Sequence, residues 1–231
     1  LRYQFDDPFE VQGDQRIDLD LSHRITFGTA TSYTDMDGAT ISTICGDTLS
    51  LFQTAHSLSG SSTTYRNRVG NNPKVSRGAL ELMERQITEN TYNQFGEKKI
   101  MNFSVIWTTD DQVDVNTVKE FLRSTANPNA ANEGVVNVYQ SKYRHVMLPR
   151  VPTTAAGAMD TTKRNYWGLA FPEYSSLYLG VWEEPHMTAP SEGSNAEDVL
   201  TDDWDYRVRG SWGIVAVGAN YIHFSSGDGT A

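Results

Sequence analysis

The spacing of apolar residues along the chain predicts two α-helices. The first is expected from about Ser76 to Phe95, because residues suited to one buried stripe recur there every three or four positions: Leu80, Met83, Ile87, Thr91 and Phe95. Ser76 is suited to cap the first turn of this helix, and Gly96 is placed to end it. We expect the stripe to pack on the strand that follows the helix.

The second helix is expected from about Val115 to Thr125, with Asp114 as its N-cap. Its buried face is expected to consist of Val115, Val118 and Leu122. This helix is expected to end before the pair Asn127-Pro128, because a residue before proline avoids the helical backbone conformation.

Alternation with a period of two predicts strands in the rest of the chain. One is expected over residues 100–107, with Met101, Phe103, Val105 and Trp107 on one face. The other expected strands are 135–139 paired with 143–148, then 177–182 ending before Pro185, 204–212, 214–217 and 221–224. Segments crowded with Asn, Gly, Thr and Ser are expected to be loops, over 28–38, 57–72 and 152–162.

This order of elements predicts an α+β protein. Strands, a helix, a strand, a second helix and a final run of strands follow one another, without a regular strand–helix alternation. A length of 231 residues is enough for one large domain or two small ones.

Charge narrows the classes of function. The chain carries 19 Lys and Arg against 29 Asp and Glu, a formal net charge of −10, which disfavours a protein that binds nucleic acid by neutralising phosphates. No apolar run approaches the ~18 residues that a membrane-spanning helix needs, so no membrane partner is expected.

Acidic residues are concentrated in one segment, residues 183–205. This acidic segment holds Glu183, Glu184, Glu192, Glu197, Asp198, Asp202, Asp203 and Asp205, and neither Lys nor Arg. Two interpretations stay open. The segment is either a solvated loop, or a surface that repels nucleic acid or meets a basic patch on a neighbouring molecule.

The sequence gives little support for a metal site or a reactive thiol. Cys45 is the single cysteine, which excludes a disulfide within the chain, and we expect it to be a small buried hydrophobe. The run Asp35-Met36-Asp37-Gly38 has the start of a calcium loop, but position 44, where a Glu ligand belongs, is Ile44. A plain turn is expected there, and no metal ligand is predicted.

Catalytic motifs are not recognisable either. The five histidines are scattered, and neither a phosphate-binding loop, a dinucleotide fingerprint nor a nucleophile elbow is found. The adjacent carboxylates Asp110-Asp111 and Glu183-Glu184 point to opposite sides of an extended chain, so they suit a catalytic pair poorly. We predict no catalytic residue, no cofactor-binding residue and no cofactor, and hence a protein that is not an enzyme.

One segment carries a family resemblance. Residues 46–56, Gly-Asp-Thr-Leu-Ser-Leu-Phe-Gln-Thr-Ala-His, resemble the Asp-Gly-x-x-Leu-Phe-x-x-x-His pattern of tailed-phage major capsid proteins, including the head proteins of Mu-like phages. Here Gly46-Asp47 stands in the reverse order. The segments that follow also resemble that family in order and spacing: the Asn-rich loop, the two helices, 143–149 ending in Leu-Pro, 163–169 around Trp167, and the late strand 204–212. The resemblance covers residues 40–224.

The resemblance implies the Hong Kong 97-type capsid fold, with an axial and a peripheral domain. Residues 1–60 would then be a remnant of the extended loop and peripheral-domain strands, 61–200 mostly the axial domain, and 201–231 strands that return to the core sheet. An N-terminal arm, a complete extended loop and a long spine helix are not found before Gly46. We therefore expect that an N-terminal portion is missing from the sequence.

The function implied is that of a structural shell subunit of a tailed double-stranded DNA virus. Its partners would be copies of itself in hexamers and pentamers, a portal, and decoration or scaffolding proteins. The shell would enclose DNA without sequence-specific binding, and the expected location is the virion, after assembly in the host cytoplasm. The alternative within this fold is the shell of an encapsulin-type nanocompartment.

Two further classes stay open. One is a hydrolase with dispersed catalytic residues. The other is a carbohydrate-binding or tail-adhesion module that stacks sugars on Trp204, Tyr206 and Trp212. His56 is the most tempting catalytic candidate, and we expect its ring to be structural. It would anchor the following Ser/Thr loop by hydrogen bonds, with Leu51 and Phe52 packed beneath.

Overall fold

A computed structural model describes residues 2–4, 22–35, 38–93, 95–125, 136–172, 177–188 and 207–229. In these ranges, two helices of 14 and 12 residues accompany four small sheets, so the predicted α+β class is confirmed. The strands are β1 (Arg2–Gln4), β2 (Ser32–Thr34), β3 (Thr40–Ser42), β4 (His56–Leu58), β5 (Ser61–Tyr65), β6 (Val105–Thr108), β7 (Arg144–Met147), β8 (Trp167–Ala170), β9 (Leu177–Thr188), β10 (Arg207–Ala216) and β11 (Ile222–Ser225). The helices are α1 (Arg77–Asn90) and α2 (Gln112–Arg123), with a helical turn over 22–26 and a 3₁₀ turn at Thr161–Lys163.

Helix α1 begins as predicted, because the Ser76 hydroxyl accepts a hydrogen bond from the Ala79 amide at 3.1 Å. The predicted stripe is buried at Leu80, Met83, Ile87 and Thr91. The predicted end at Phe95 is wrong. Thr91 already has an extended backbone, and the Asn93 side-chain oxygen accepts from the amides of Phe95 and Glu97, which closes a turn. Phe95 is consequently exposed.

Helix α2 begins three residues earlier than predicted. Its cap is Asp111 rather than Asp114, because the Asp111 carboxylate accepts from the amides of Val113 and Asp114 at 2.9 and 3.4 Å. The predicted buried face is confirmed: Val115, Val118 and Leu122 all lie in the core.

The main sheet has the strand order β11-β8-β6-β7. Strand β6 is buried along its whole length and lies between two apolar clusters. Ile106 belongs to the cluster that contains Leu80, Met83 and Ile87 of α1, so the predicted packing of the helix on this strand is confirmed. Trp107 belongs to the other cluster, which is built from the N-terminal and C-terminal parts of the chain.

Strand β7 has a partner that local pattern did not indicate. It pairs with β6 in parallel, with Ile106 opposite His145, and not with a strand at 135–139 as predicted. Residues 138–142 form turns, and residue 135 lies outside the described ranges. A parallel pair requires a long connection, which α2 and the following segment supply here.

Strands β9 and β10 form a long antiparallel ribbon, with β1 paired along β9. The predicted stop before Pro185 is wrong, since β9 continues to Thr188. The register shifts between Arg209 and Ser211, and this irregularity accommodates the proline, which cannot donate a ladder hydrogen bond. The separately predicted strands 204–212 and 214–217 are one strand from Arg207, and residues 201–206 lie outside the described ranges.

Two of the predicted loops contain hairpins. Strand β2 lies within 28–38 and pairs with β3, and β4 pairs with β5 within the predicted loop 57–72. In β5, Ser61 and Thr63 are partly buried and Ser62 and Thr64 are exposed, an alternation that β-branched threonine tolerates well. The strand predicted over 100–107 is shorter in the structure, where it is β6. The strand predicted over 221–224 corresponds to β11, and both of its ends agree within one residue.

Candidate functional site

His56, at the start of β4, is the centre of a buried polar cluster, which we call the His56 hub. His56 is 0% exposed, and its ring stacks on the ring of Tyr65 in β5, with 4.8 Å between the ring centroids. Leu51 and Phe52 are 1% exposed and belong to the same core. Their burial in the apolar cluster that contains Tyr65 agrees with the expectation that both residues belong to the core.

Both ring nitrogens of His56 face oxygen atoms. Nδ1 lies 2.8 Å from Oδ2 of Asp47, while Nε2 lies 3.2 Å from the Leu51 carbonyl oxygen and 3.2 Å from Oδ1 of Asn67. All three partners are oxygen atoms that accept hydrogen bonds, so each ring nitrogen lies within hydrogen-bonding distance of an acceptor. The ring anchors the following loop through Asn67, as expected, and the preceding turn through Asp47.

Asn67 is the second centre of the hub. Its Nδ2 donates to the carbonyl oxygens of Leu51, Ala219 and Ile222 at 2.7, 3.2 and 3.2 Å. Its Oδ1 accepts from the Gln53 amide at 2.9 Å, which fixes the orientation of the side-chain amide. The hub thus fastens three distant parts of the chain: the turn near Asp47, the β4–β5 hairpin and the start of β11.

The turn that presents Asp47 is sterically specified. A Cβ atom on Gly46 would lie 2.7 Å from the Val217 carbonyl oxygen, so a larger side chain would push β10 away. Thr48 has a positive φ of 65°, and Oδ1 of Asp47 accepts from the Leu49 amide at 3.2 Å. These contacts explain why Gly and Asp stand together at this point.

Cys45 lies beside the hub and is poorly suited to nucleophilic chemistry. It is buried, as expected from the sequence. Burial raises the pKa of its thiol to about 12, and the nearby Asp47 carboxylate adds to the shift. The reactive thiolate is therefore scarce at neutral pH.

An open cleft of about 490 Å³ adjoins the hub and is lined in part by Asp47, Leu58, Tyr65, Val217 and Asn220. Neither ring nitrogen of His56 is available to a molecule in this cleft, since the ring is buried and both nitrogens have partners. The hydrogen bonds of His56 are therefore better suited to holding segments of the fold together than to transferring a proton to a ligand.

The remaining candidates take structural positions. The amide of Asp35 donates to the Ala39 carbonyl at 2.8 Å within the β2–β3 hairpin, and Gly38 has a φ of +80°. The segment is therefore a turn, as expected. Asp37 lies outside the described residues. Among the residues that the structure describes, no group of three potential metal ligands is found. Asp111 caps α2, and Glu183 lies 3.6 Å from His186.

The β9–β10 ribbon presents one apolar face to solvent. Its inner face holds Leu179, with Val181, Trp212 and Ile214 packed around it. Trp182, at a register shift of the ribbon, is 77% exposed, Val215 on the opposite face is 52% exposed, and Val217, directly after β10, is 57% exposed. We call these three residues the ribbon patch.

A cationic cleft is the feature that sequence reasoning missed. It has a volume of about 610 Å³ and lies between α2 and β7. Its charged lining residues are Lys119, Arg123, Lys142 and Arg144. They come from a helix, a turn and a strand, so no run of basic residues marks them in the sequence.

Comparisons with known proteins add no relative: no family model, curated protein or solved structure matches this chain. Within the described residues, none of the helices is long and apolar enough to cross a membrane.

Proposed function

We propose that this chain is the major capsid subunit of a tailed double-stranded DNA virus, with a Hong Kong 97-type fold, and that copies of it assemble into an icosahedral shell. The proposal starts from the ordered series of segments that resemble tailed-phage capsid proteins. The first of them, residues 46–56, supplies three members of the His56 hub: Asp47, Leu51 and His56. A motif used to fasten the fold suits a structural protein.

The observation that carries the proposal is the ribbon patch. A side chain as large as Trp182 is rarely left 77% exposed in a monomer, and here the exposed Val215 lies on the same ribbon and the exposed Val217 directly follows it. Among the side chains of the ribbon that the structure describes, Leu179 is the one buried member of its separate cluster, so this part of the ribbon has a small core of its own. Ribbons of few strands gain stability when another surface covers them. Neighbouring subunits of a shell provide such a surface.

In this proposal, residues 1–60 belong to the extended loop and peripheral domain, 61–200 to the axial domain, and 201–231 to the returning strands. Hexamers and pentamers of the chain form the shell, a portal occupies one vertex, and decoration or scaffolding proteins are further partners. The net charge of −10 suits a container that holds DNA without trapping it.

The test compares two exposed apolar positions in the complete gene product. Trp182→Asp places a charge on the ribbon patch, and Val113→Asp makes a comparable change at a valine that is 73% exposed on α2. Both variants should keep the circular dichroism spectrum and melting temperature of the parent, because neither side chain is in the core. We expect Trp182→Asp to lower the yield of particles about tenfold in sedimentation, as one lost interface contact of about 1.4 kcal/mol would.

Particles that form equally well from Trp182→Asp and from the parent would contradict the role of the ribbon. Nucleic acid inside purified particles separates a viral capsid from the alternative shell of a protein-filled nanocompartment. Particles that contain protein cargo and no DNA would favour that alternative.

A further inference from the structure

The cationic cleft between α2 and β7 is unusual in a chain of net charge −10. Lys119 and Arg123 lie one turn apart on α2, and Arg144 begins β7. All three are exposed. Like charges gathered in this way repel one another, so the cleft favours an anionic partner.

The charge of the cleft is only partly neutralised within the described residues. Nζ of Lys142 lies 2.8 Å from Oε1 of Glu84, so this lysine already has a carboxylate partner. No ion pair to Lys119 or Arg123 is found among the described side chains. Burial, and then the neighbouring Lys119, lower the pKa of the His145 imidazole, which disfavours its charged form.

The shape of the site suits an extended chain. Strand β7 is at the edge of the main sheet, and no other described strand pairs on its outer side. The amides of Arg144 and Leu148 donate to β6, so the intervening His145 and Met147 direct their backbone groups away from it. An edge of this kind binds an added strand through main-chain hydrogen bonds.

We propose that the cationic cleft binds residues 189–205 of a neighbouring copy of the chain, the part of the acidic segment that follows β9. This inference rests on the proposed function, since a shell holds that neighbour close and gives its segment a high effective concentration. Residues 189–205 carry six acidic residues and no Lys or Arg, which complements the cleft in charge. A free nucleic acid lacks this tether and meets a net charge of −10, so it is the weaker candidate.

Binding can be measured without assembly. A fluorescent peptide of residues 189–205 is titrated onto the complete protein, dissociated into subunits, at about 0.15 M salt. We expect binding that weakens about tenfold or more when Lys119→Glu and Arg123→Glu are combined. The control is Arg85→Glu, a charge reversal at a residue whose side chain is 73% exposed on α1, which should leave binding unchanged. Equal binding to all three proteins, or no binding to any, overturns the proposal.

Assembly then shows which copy supplies the segment. One variant reverses the charge of the cleft with Lys119→Glu and Arg123→Glu. A second reverses the charge of the segment with Glu192→Lys, Glu197→Lys and Asp198→Lys. Each variant alone should reduce the particle yield about tenfold. Mixing the two variants should restore it, because each then offers the charge that the other lacks.

Two results count against the inference. If the chain with all five substitutions assembles but the mixture does not, the segment binds its own molecule. If the cleft variant forms particles normally yet loses binding to a DNA duplex, the cleft is a nucleic-acid site. A parent that forms no particles contradicts the proposed function instead, while the peptide titration still decides the chemistry of the cleft.

Discussion

Nδ1 of His56 and Oδ2 of Asp47 lie 2.8 Å apart, and the same carboxylate oxygen also accepts from the Ser57 amide at 3.1 Å. The imidazole is fully buried, whereas the Asp47 side chain is 13% exposed. A buried ring with partners at both nitrogens is difficult to replace, because no other side chain places two nitrogens in opposite directions with the same rigid geometry.

His56→Gln should therefore fold with reduced stability. Glutamine supplies one amide group in place of two ring nitrogens, so either Asp47 or the Leu51 carbonyl loses its contact. We expect a loss of about 1–3 kcal/mol in the free energy of unfolding, measured by urea denaturation, with assembly retained. His186→Gln is the control, since the His186 side chain is 50% exposed, and it should change stability little. A His56→Gln variant as stable as the control would show that the hub contributes nothing.

Asn67→Asp should be more damaging. The Asn67 amide nitrogen donates to three carbonyl oxygens, and a carboxylate oxygen at that position would repel all three. We expect a loss of about 3 kcal/mol or more, or failure to fold, because a buried charge without donors is costly. The matched control is Asn102→Asp at an exposed asparagine before β6, which should stay near parental stability. Equal melting temperatures for the two variants would contradict the hydrogen-bond pattern described for Asn67.

The stripe of α1 gives a test of the core. Ile87 is 5% exposed and Leu82, on the same helix, is 53% exposed. Ile87→Asp should cost about 4 kcal/mol or more, whereas Leu82→Asp should cost about 0.5 kcal/mol or less. Thermal denaturation followed by circular dichroism checks both variants. If Ile87→Asp melts at the same temperature as Leu82→Asp, the helix is rotated from the position described.

The helices were accessible to sequence reasoning because their signals are local. The three- and four-residue spacing of Leu80, Met83 and Ile87 survives in the structure, since one face of α1 is in the core. The ends of the helices were harder to predict from the sequence. Asp111 and Asp114 are both good caps by residue type, and only the hydrogen bonds of the folded chain distinguish them.

The pairing of strands and the composition of the hub depend on contacts between distant parts of the chain. Strand β7 pairs with β6 across the whole of α2, and Asn67 donates to Ala219 at a separation of 152 residues. No local pattern records such pairs. The long ribbon was underestimated for a different reason: Pro185 reads as a strand end, but a register irregularity accommodates it.

His223 predicts a pH dependence of stability. Burial, and then the charge of His56, lower the pKa of the His223 imidazole from 6.5 to about 3. Below pH 6.5 the unfolded chain takes up a proton that the folded chain refuses until about pH 3, so stability falls as the pH is lowered through this window. The contribution of one such group is about 1.4 kcal/mol per pH unit.

His223→Leu should flatten that slope by about one proton, as measured by urea denaturation between about pH 6 and pH 4. His186→Gln should keep the parental slope, because His186 is exposed. An unchanged slope in His223→Leu would show that this ring does not resist protonation in the folded protein.

Electron microscopy of the purified complete gene product decides whether this protein builds shells. Copies of the chain joined through the ribbon patch should appear as closed, icosahedral particles, and those purified from infected cells should contain double-stranded DNA. A folded, monodisperse protein that sediments as a monomer of 25.8 kDa at high concentration, with no capsomers or shells under any assembly condition, would contradict the capsid function.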